Sequence, residues 1–418
     1  MQAQGFFTQL VQALSANSGG GCGSVAVTRV QIRTGSAIRP IMSGTSERRP
    51  FVVFYNSSST TNNRVTLTAV LTPSDATNRD VTWTSTRILA SANPSTLPSI
   101  SPNTTSNPVT IVPQVSAVPG GRFIRRYTAT ASNGMSDSQI VIGVQQFPAP
   151  RPRFRALRAV EVFAGPYSNQ PTLFPRIATL STGTVVEVLG RYNATTADTV
   201  WYYVSWGNNN SGFVRLHRAG DFTPQRPTIR PRSAWTSVPH GQPARTRNPQ
   251  RIIFHHVAGH RITCNNMVEG PGNTRDQQYH YLILSCGTIY EMVPVTHQAR
   301  GSFVSGHDFG NDVTVSLMGH FHPQDAFHNS PSCCVHAGSR SDTLNQAQMA
   351  AMQQLALYYS RRYNMSVNNP SSTTRPRRFS PVAMHNDVSN QDCPGANVRP
   401  WITNTLRPRI NGFINSRS

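Results

Sequence analysis

Lysine is absent from this 418-residue chain, and all 38 basic side chains are arginine. Arginine stays protonated at any physiological pH, so the positive charge is permanent. Nothing in the sequence explains the missing lysine. Acidic residues are scarce too, 17 in all, which leaves a formal net charge of +21. So basic a surface calls for an anionic partner, either nucleic acid or a polymer bearing phosphates and carboxylates. The arginines are scattered, in short groups such as RPRFR (151–155) and RPRR (375–378), without a basic helix or an RNA-binding signature. That argues against nucleic acid.

Long apolar runs are also missing. None approaches the roughly 18 residues that a membrane helix needs, so no membrane span is expected. The N-terminal MQAQGFFTQLVQALSANSGGGCG has neither a basic n-region nor an apolar h-region, and no Sec export signal is expected. Phe6, Phe7, Leu10, Val11 and Leu14 share one face of a short predicted helix, suited to packing on a neighbour or docking into a larger assembly. The six cysteines are too few for a disulfide scaffold. One pair among Cys264, Cys286, Cys333 and Cys334 stays open, although bonding between the vicinal Cys333 and Cys334 would be strained.

What is present is β patterning, with 31 prolines and 29 glycines as punctuation. After a Gly-rich hinge in residues 1–24, VTLTAVLT (65–72) alternates apolar and polar residues as a half-buried strand does. A turn cluster, a strand carrying Trp83, RYTATAS (126–132), a turn at Asn133-Gly134 and SQIVIGV (138–144) follow. This predicts a β-sandwich over 25–147, and LTAVLTPSDATNRDVTWTS resembles the bacterial Ig-like group 2 domain. A Pro-rich stretch, VQQFPAPRPRFR (144–155), reads as a stiff linker. Residues 154–218 then carry VEVFAG, TVVEVLG, VWYYVSWG and SGFVRLHR, an order that resembles a bacterial SH3-like barrel.

Past a second basic Pro-rich linker (223–232) the pattern turns to α/β over 228–418. RIIFHHV (251–257), YHYLIL (279–284), IYEMV (289–293) and VTVSLMGHF (313–321) read as strands. DTLNQAQMAAMQQLALYYSRRY (342–363) reads as a helix capped near Asp342 or Thr343, with Leu344, Ala351, Leu355 and Tyr359 on one face.

Histidines crowd this last region, and HNDVSNQDCPG (385–395) sets His385 eight residues before a Cys-Pro-Gly. Read alone, Cys393 has three possible roles: half of a disulfide, a small buried hydrophobe, or a thiolate ligand. His255 ends an apolar strand, where a bare imidazole is costly unless paired. Two imidazoles and one thiolate would suit a catalytic zinc, which needs three protein ligands.

Residues 228–413 resemble the type-2 N-acetylmuramoyl-L-alanine amidases and the peptidoglycan recognition proteins. The matching segments are Arg232-Ser233-Ala234-Trp235, IIFHHVAG, Tyr279-His280-Tyr281-Leu282-Ile283, CGTIYE (286–291), VTVSLMG (313–319) and His385-x7-Cys393-Pro394-Gly395. The resemblance implies an α/β domain with a mixed sheet and flanking helices. It also implies zinc bound by His255, His385 and Cys393, oxyanion support from Tyr279 and Gln391, and peptidoglycan as substrate. Gln391 stands where the family has Lys or Thr. Ser316 stands where some bacterial members place a glutamate, which points to the tyrosine-dependent subgroup. His256 is expected to pack beside the site, and His260 and His280 to line a cleft or face solvent.

The expected whole is an Ig-like spacer, an SH3-like module and a zinc amidase. It would be made in the cytoplasm and reach the wall after lysis, holin release or delivery on a particle. The alternative is a non-catalytic wall-binding or structural part of a phage tail or injection particle.

Overall fold

A computed structural model describes residues 26–34, 49–55, 65–88, 109–111, 123–167, 170–193, 200–216, 220–256, 279–299, 312–319, 321, 342–365, 381–388 and 393–415. The predicted N-terminal helix, Gln391, His260 and Cys264, Cys333 and Cys334 lie outside them. Among the described residues no helix is long and apolar enough to cross a membrane. The described residues are mostly β, with few helices. It divides into two units, Met1–Gln145 with Tyr167–Pro175, and Gln146–Pro166 with Arg176–Ser418.

In the first unit, β1 (Arg29–Thr34), β3 (Val65–Thr72) and β5 (Val109–Ile111) make one antiparallel sheet. β4 (Val81–Arg87), β6 (Phe123–Ala131) and β7 (Ser136–Gln146) pair antiparallel, and β2 (Phe51–Tyr55) runs parallel to β7. The alternation decides what meets inside: Ile32, Leu67, Ala69, Leu71, Val81, Trp83, Tyr127 and Val141 form one buried cluster. The turn expected at Asn133-Gly134 closes β6 onto β7, with Gly134 at φ 85° and Ala131 N–H donating to Met135 O at 2.8 Å.

In the second unit, seven strands follow one another: β8 (Arg153–Ala156), β9 (Val160–Phe163), β10 (Arg176–Leu180), β11 (Val185–Asn193), β12 (Val200–Trp206), β13 (Asn210–Val214) and β14 (Phe222–Pro224). Pairing sets them in the order β10-β9-β13-β12-β11-β8-β14. Their inward residues include Phe154, Val162, Val186, Tyr202, Val204 and Val214. Gly212 is required where β13 meets β9, because a Cβ there would collide with Val162.

The remaining strands form a six-stranded mixed sheet in the order β15-β18-β17-β19-β16-β20. They are β15 (Ile229–Arg230), β16 (Arg251–His256), β17 (Tyr281–Ile283), β18 (Ile289–Glu291), β19 (Asp312–Leu317) and β20 (Val382–Met384). β17, β19, β16 and β20 are mutually parallel, and only the β17–β18 pairing is antiparallel. β16 and β19 are buried at every residue, as parallel strands covered on both faces are. One face, with Ile252, Phe254, Ile283, Val313, Val315 and Leu317, packs on α1 (Gln346–Arg362) and α3 (Arg407–Asn415). Between them a short helix α2 (His385–Val388) follows β20 directly.

α1 starts later than the sequence suggests. Asn345, not Asp342 or Thr343, accepts the Gln348 N–H at 2.9 Å, and it also donates to Ser285 O. An Asx side chain in extended backbone at this point satisfies a first-turn N–H that the earlier residues do not reach.

The Pro-rich stretch after β7 is not an exposed spacer. Arg409 of α3 donates to Pro148 O and Pro150 O, both at 2.9 Å, and to Gln353 Oε1 at 2.6 Å. Burial lowers the Arg409 pKa to about 10. Phe413 stacks against Phe147 and Tyr202 and tilts onto Phe154. The seven strands and the helices behind the mixed sheet therefore share one hydrophobic core. The carbonyls of Pro148 and Pro150 supply the acceptors for a guanidinium that the C-terminal helix buries against them.

Candidate metal centre

Period two puts Ile253 and His255 on the face of the mixed sheet opposite the α1 core. In register with them on the neighbouring strands lie Thr314 and Ser316 of β19 and Ala383 of β20. His385 follows β20 at once, so it arrives beside His255 at the carboxyl ends of two parallel strands, where open α/β sheets present ligand sites. Their ring centroids are 4.5 Å apart. Cys393 closes the group: its Sγ lies 3.8 Å from His255 Nδ1, and ligand atoms of all three residues fall within 4.8 Å of one another. Relative exposures are 0%, 1% and 9% for His255, His385 and Cys393.

Cys393 is not in a disulfide, whereas Cys286 is disulfide-bonded. The backbone N–H of His256 donates to Cys393 Sγ at 3.4 Å, a contact that favours a thiolate. The His256 ring itself turns toward Phe321, outside the cluster. Gly395 explains the rest of the Cys-Pro-Gly motif. It sits at φ 100°, and a Cβ there would lie 2.5 Å from Phe321 O. The Tyr279 ring stands 5.1 Å from that of His255. Gln391, the other residue expected at the site, is outside the described residues.

Around a single zinc, ligand atoms at metal distances of about 2.0–2.3 Å stand roughly 3.3–3.6 Å apart in a tetrahedron. The separations observed here are of that order, and two nitrogens with one sulfur are a donor set zinc favours. The three residues fit the ion.

The expectation for His280 needs correcting. It is buried, not facing a cleft or solvent: its Nδ1 accepts the Thr314 N–H at 3.0 Å, and Nε2 lies 3.0 Å from His297 O. Arg245 Nη2 lies 2.8 Å from that same Nε2 and donates to Asp312 O at 2.8 Å, while Arg245 Nε donates to Val295 O at 2.9 Å. Burial first, and the Arg245 charge second, lower the His280 pKa to about 3.

A pH dependence follows. The unfolded chain protonates this histidine near pH 6.5 and the folded one does not, so its contribution is complete above about 6.5 and is lost as pH falls toward 3. The loss reaches up to about 1.4 kcal/mol per pH unit. His280→Asn keeps an acceptor for the Thr314 N–H and removes the titration. In urea unfolding at a series of pH values, this variant is expected to be less stable at pH 7 but to have a shallower acid limb. Equal acid slopes for both proteins would refute it.

Below the same face Asp312 and Arg251, which open β19 and β16, form a two-pronged ion pair at 2.5 and 3.0 Å. Both are almost wholly buried. Trp235 donates to Glu291 O at 3.0 Å and packs on Leu282, Leu284, Tyr290, Met292 and Met318, which fixes the Arg-Ser-x-Trp segment to the sheet.

A mixed sheet with helices behind it and a His/His/Cys cluster in front make the C-terminal part of the second unit an α/β fold with a candidate metal centre. Residues 245–396, which hold the whole cluster, match the N-acetylmuramoyl-L-alanine amidase family model. Among solved structures, the endolysin N-acetylmuramoyl-L-alanine amidase LysCS of Clostridium intestinale is similar at 19% identity. The alignment covers 41% of this chain and 90% of that one, with a TM-score of 0.28. Human PGRP-IβC, solved in complex with glycosamyl muramyl pentapeptide, is similar at 22% identity over 43% of this chain and 98% of its own, TM-score 0.31. The Ph2119 endolysin of a Thermus scotoductus bacteriophage is similar at 17% identity over 40% and 92%, TM-score 0.26. No curated protein matches the chain.

Proposed function

We propose that the 228–418 region is a zinc-dependent peptidoglycan amidase. It would cleave the bond between the lactyl group of N-acetylmuramic acid and L-alanine. The observation that carries the reading is the convergence of His255, His385 and Cys393 within the stretch that matches the amidase family. Three protein ligands leave one coordination position open, the pattern of a catalytic zinc. When bound, such an ion polarises a carbonyl and makes hydroxide available near neutral pH.

The chain's own residues supply the rest. Cys393 contributes the negative charge, supported by the His256 N–H. Tyr279, beside His255, is assigned to donate its phenolic hydrogen to the oxygen that becomes negative on the lactyl carbonyl. Gln391 is assigned a second, uncharged donation to that oxygen on the motif alone. The departing amine of L-alanine takes its proton from solvent. Residues 25–147 are read as an Ig-like spacer, supported by the two sheets around Trp83. Residues 154–218 are read as an SH3-like module, supported by their strand order.

Purified cell wall incubated with the protein is expected to yield new L-alanine amino termini, to stop doing so with a chelator, and to resume with added zinc. Wall binding without any new amino termini would leave only a binding protein.

A further inference from the structure

The corner that delivers His385 is slight. β20 has three residues, pairs among the described strands with β16 alone, and passes straight into the single turn of α2. Neither element is long enough to hold a side chain by itself. Yet the corner is pinned from outside, and the pin comes from the far end of the chain. Arg407, the first residue of α3, donates Nε–H to Val382 O at 2.9 Å and pairs through Nη2 with Asp387 Oδ2. Asp387 Oδ2 also accepts the Met384 N–H at 2.7 Å. One guanidinium therefore brackets His385, gripping the chain three residues before it and two residues after it. The Asn386 N–H donates to Cys393 O at 2.9 Å, so the bracketed turn is tied to the next ligand as well. The ion pair is mostly buried, with side-chain exposures of 15% and 20%, and is only partly screened by solvent.

We propose that Asp387 and Arg407 are positioning residues for His385, an ion pair from the C-terminal helix that holds one metal ligand in place. The inference rests on the metal centre proposed above. Groups that orient a ligating histidine change metal affinity by roughly 10–100-fold when removed, although they never touch the ion.

The test uses the full-length, zinc-loaded protein and follows zinc release to a chromogenic chelator alongside the melting temperature of the metal-free form. Asp387→Asn keeps an acceptor for the Met384 N–H and loses the charge, and Arg407→Gln loses the pair. Both are expected to release zinc roughly 10–100-fold faster, with metal-free melting temperatures within a few degrees of wild type. Arg407→Lys keeps the charge but cannot span the carbonyl and the carboxylate together. It is expected to release zinc faster than wild type and more slowly than Arg407→Gln, and it serves if either other variant does not fold. Wild-type release rates in all three variants would overturn the inference. So would faster release that only tracks a lower metal-free melting temperature. A wild-type protein that holds no stoichiometric zinc would instead sink the metal centre itself.

Discussion

Cys393→Ser is expected to remove bound zinc and amidase activity together while leaving the fold in place. Zinc bound by four ligands is worth about 10–16 kcal/mol, so one ligand accounts for roughly 2.5–4 kcal/mol, on the order of a hundredfold to a thousandfold in affinity. A serine hydroxyl is smaller than the thiol and stays protonated near neutral pH, so it does not replace the thiolate. The His256 N–H would then face a neutral oxygen in place of sulfur. The surroundings explain why the fold should survive: Cys393 is not in a disulfide, and the turn that holds it is fixed by Gly395 at φ 100° and by the Asn386 bond to its carbonyl. Metal analysis of the purified variant beside wild type, with circular dichroism, checks this. One zinc per chain retained by the serine variant would remove Cys393 from the site.

How much of this was legible beforehand depends on the range of the interaction. Alternation and apolar runs are local, so the strand at 65–72 and the buried strand that ends near His255 could be read directly. The Cys-Pro-Gly turn was likewise visible, although its partner Phe321 was not. Other features depend on residues far apart in the chain. Arg245, His280 and Asp312 meet because β17 pairs with β19 and Ala244 bridges to His297, and no composition signal marks them as a network. His280 looked like a cleft residue because its strand neighbours gave no hint that Thr314 would offer its nitrogen a backbone N–H. The Pro-rich stretch at 144–155 read as a linker because the arginine that binds its carbonyls lies about 260 residues away. Asp387 sat inside the quoted motif, yet its role depends on Arg407, which no motif includes.

Breaking the buried pair under the site is expected to have the largest effect on stability. Asp312→Ala leaves the Arg251 guanidinium in a nearly dry position without its carboxylate, at a cost of roughly 3–5 kcal/mol. Against a typical stability of about 5–15 kcal/mol, that brings the second unit close to unfolding at moderate temperature. The double variant Arg251→Met/Asp312→Leu removes both charges and retains most of the volume, and it is expected to recover most of the loss. Urea unfolding of the singles and the double isolates the coupling, and additive losses would show that the two side chains act independently. The pair also bears on the metal. Arg251 and Asp312 face each other at the start of β16 and β19, and four residues on, in the same register, stand His255 and Ser316. A strand loosened at its entry holds its last side chain less firmly. Asp312→Ala should therefore release zinc faster even at temperatures where the unit stays folded, whereas the double variant, with the strand start packed again, should not.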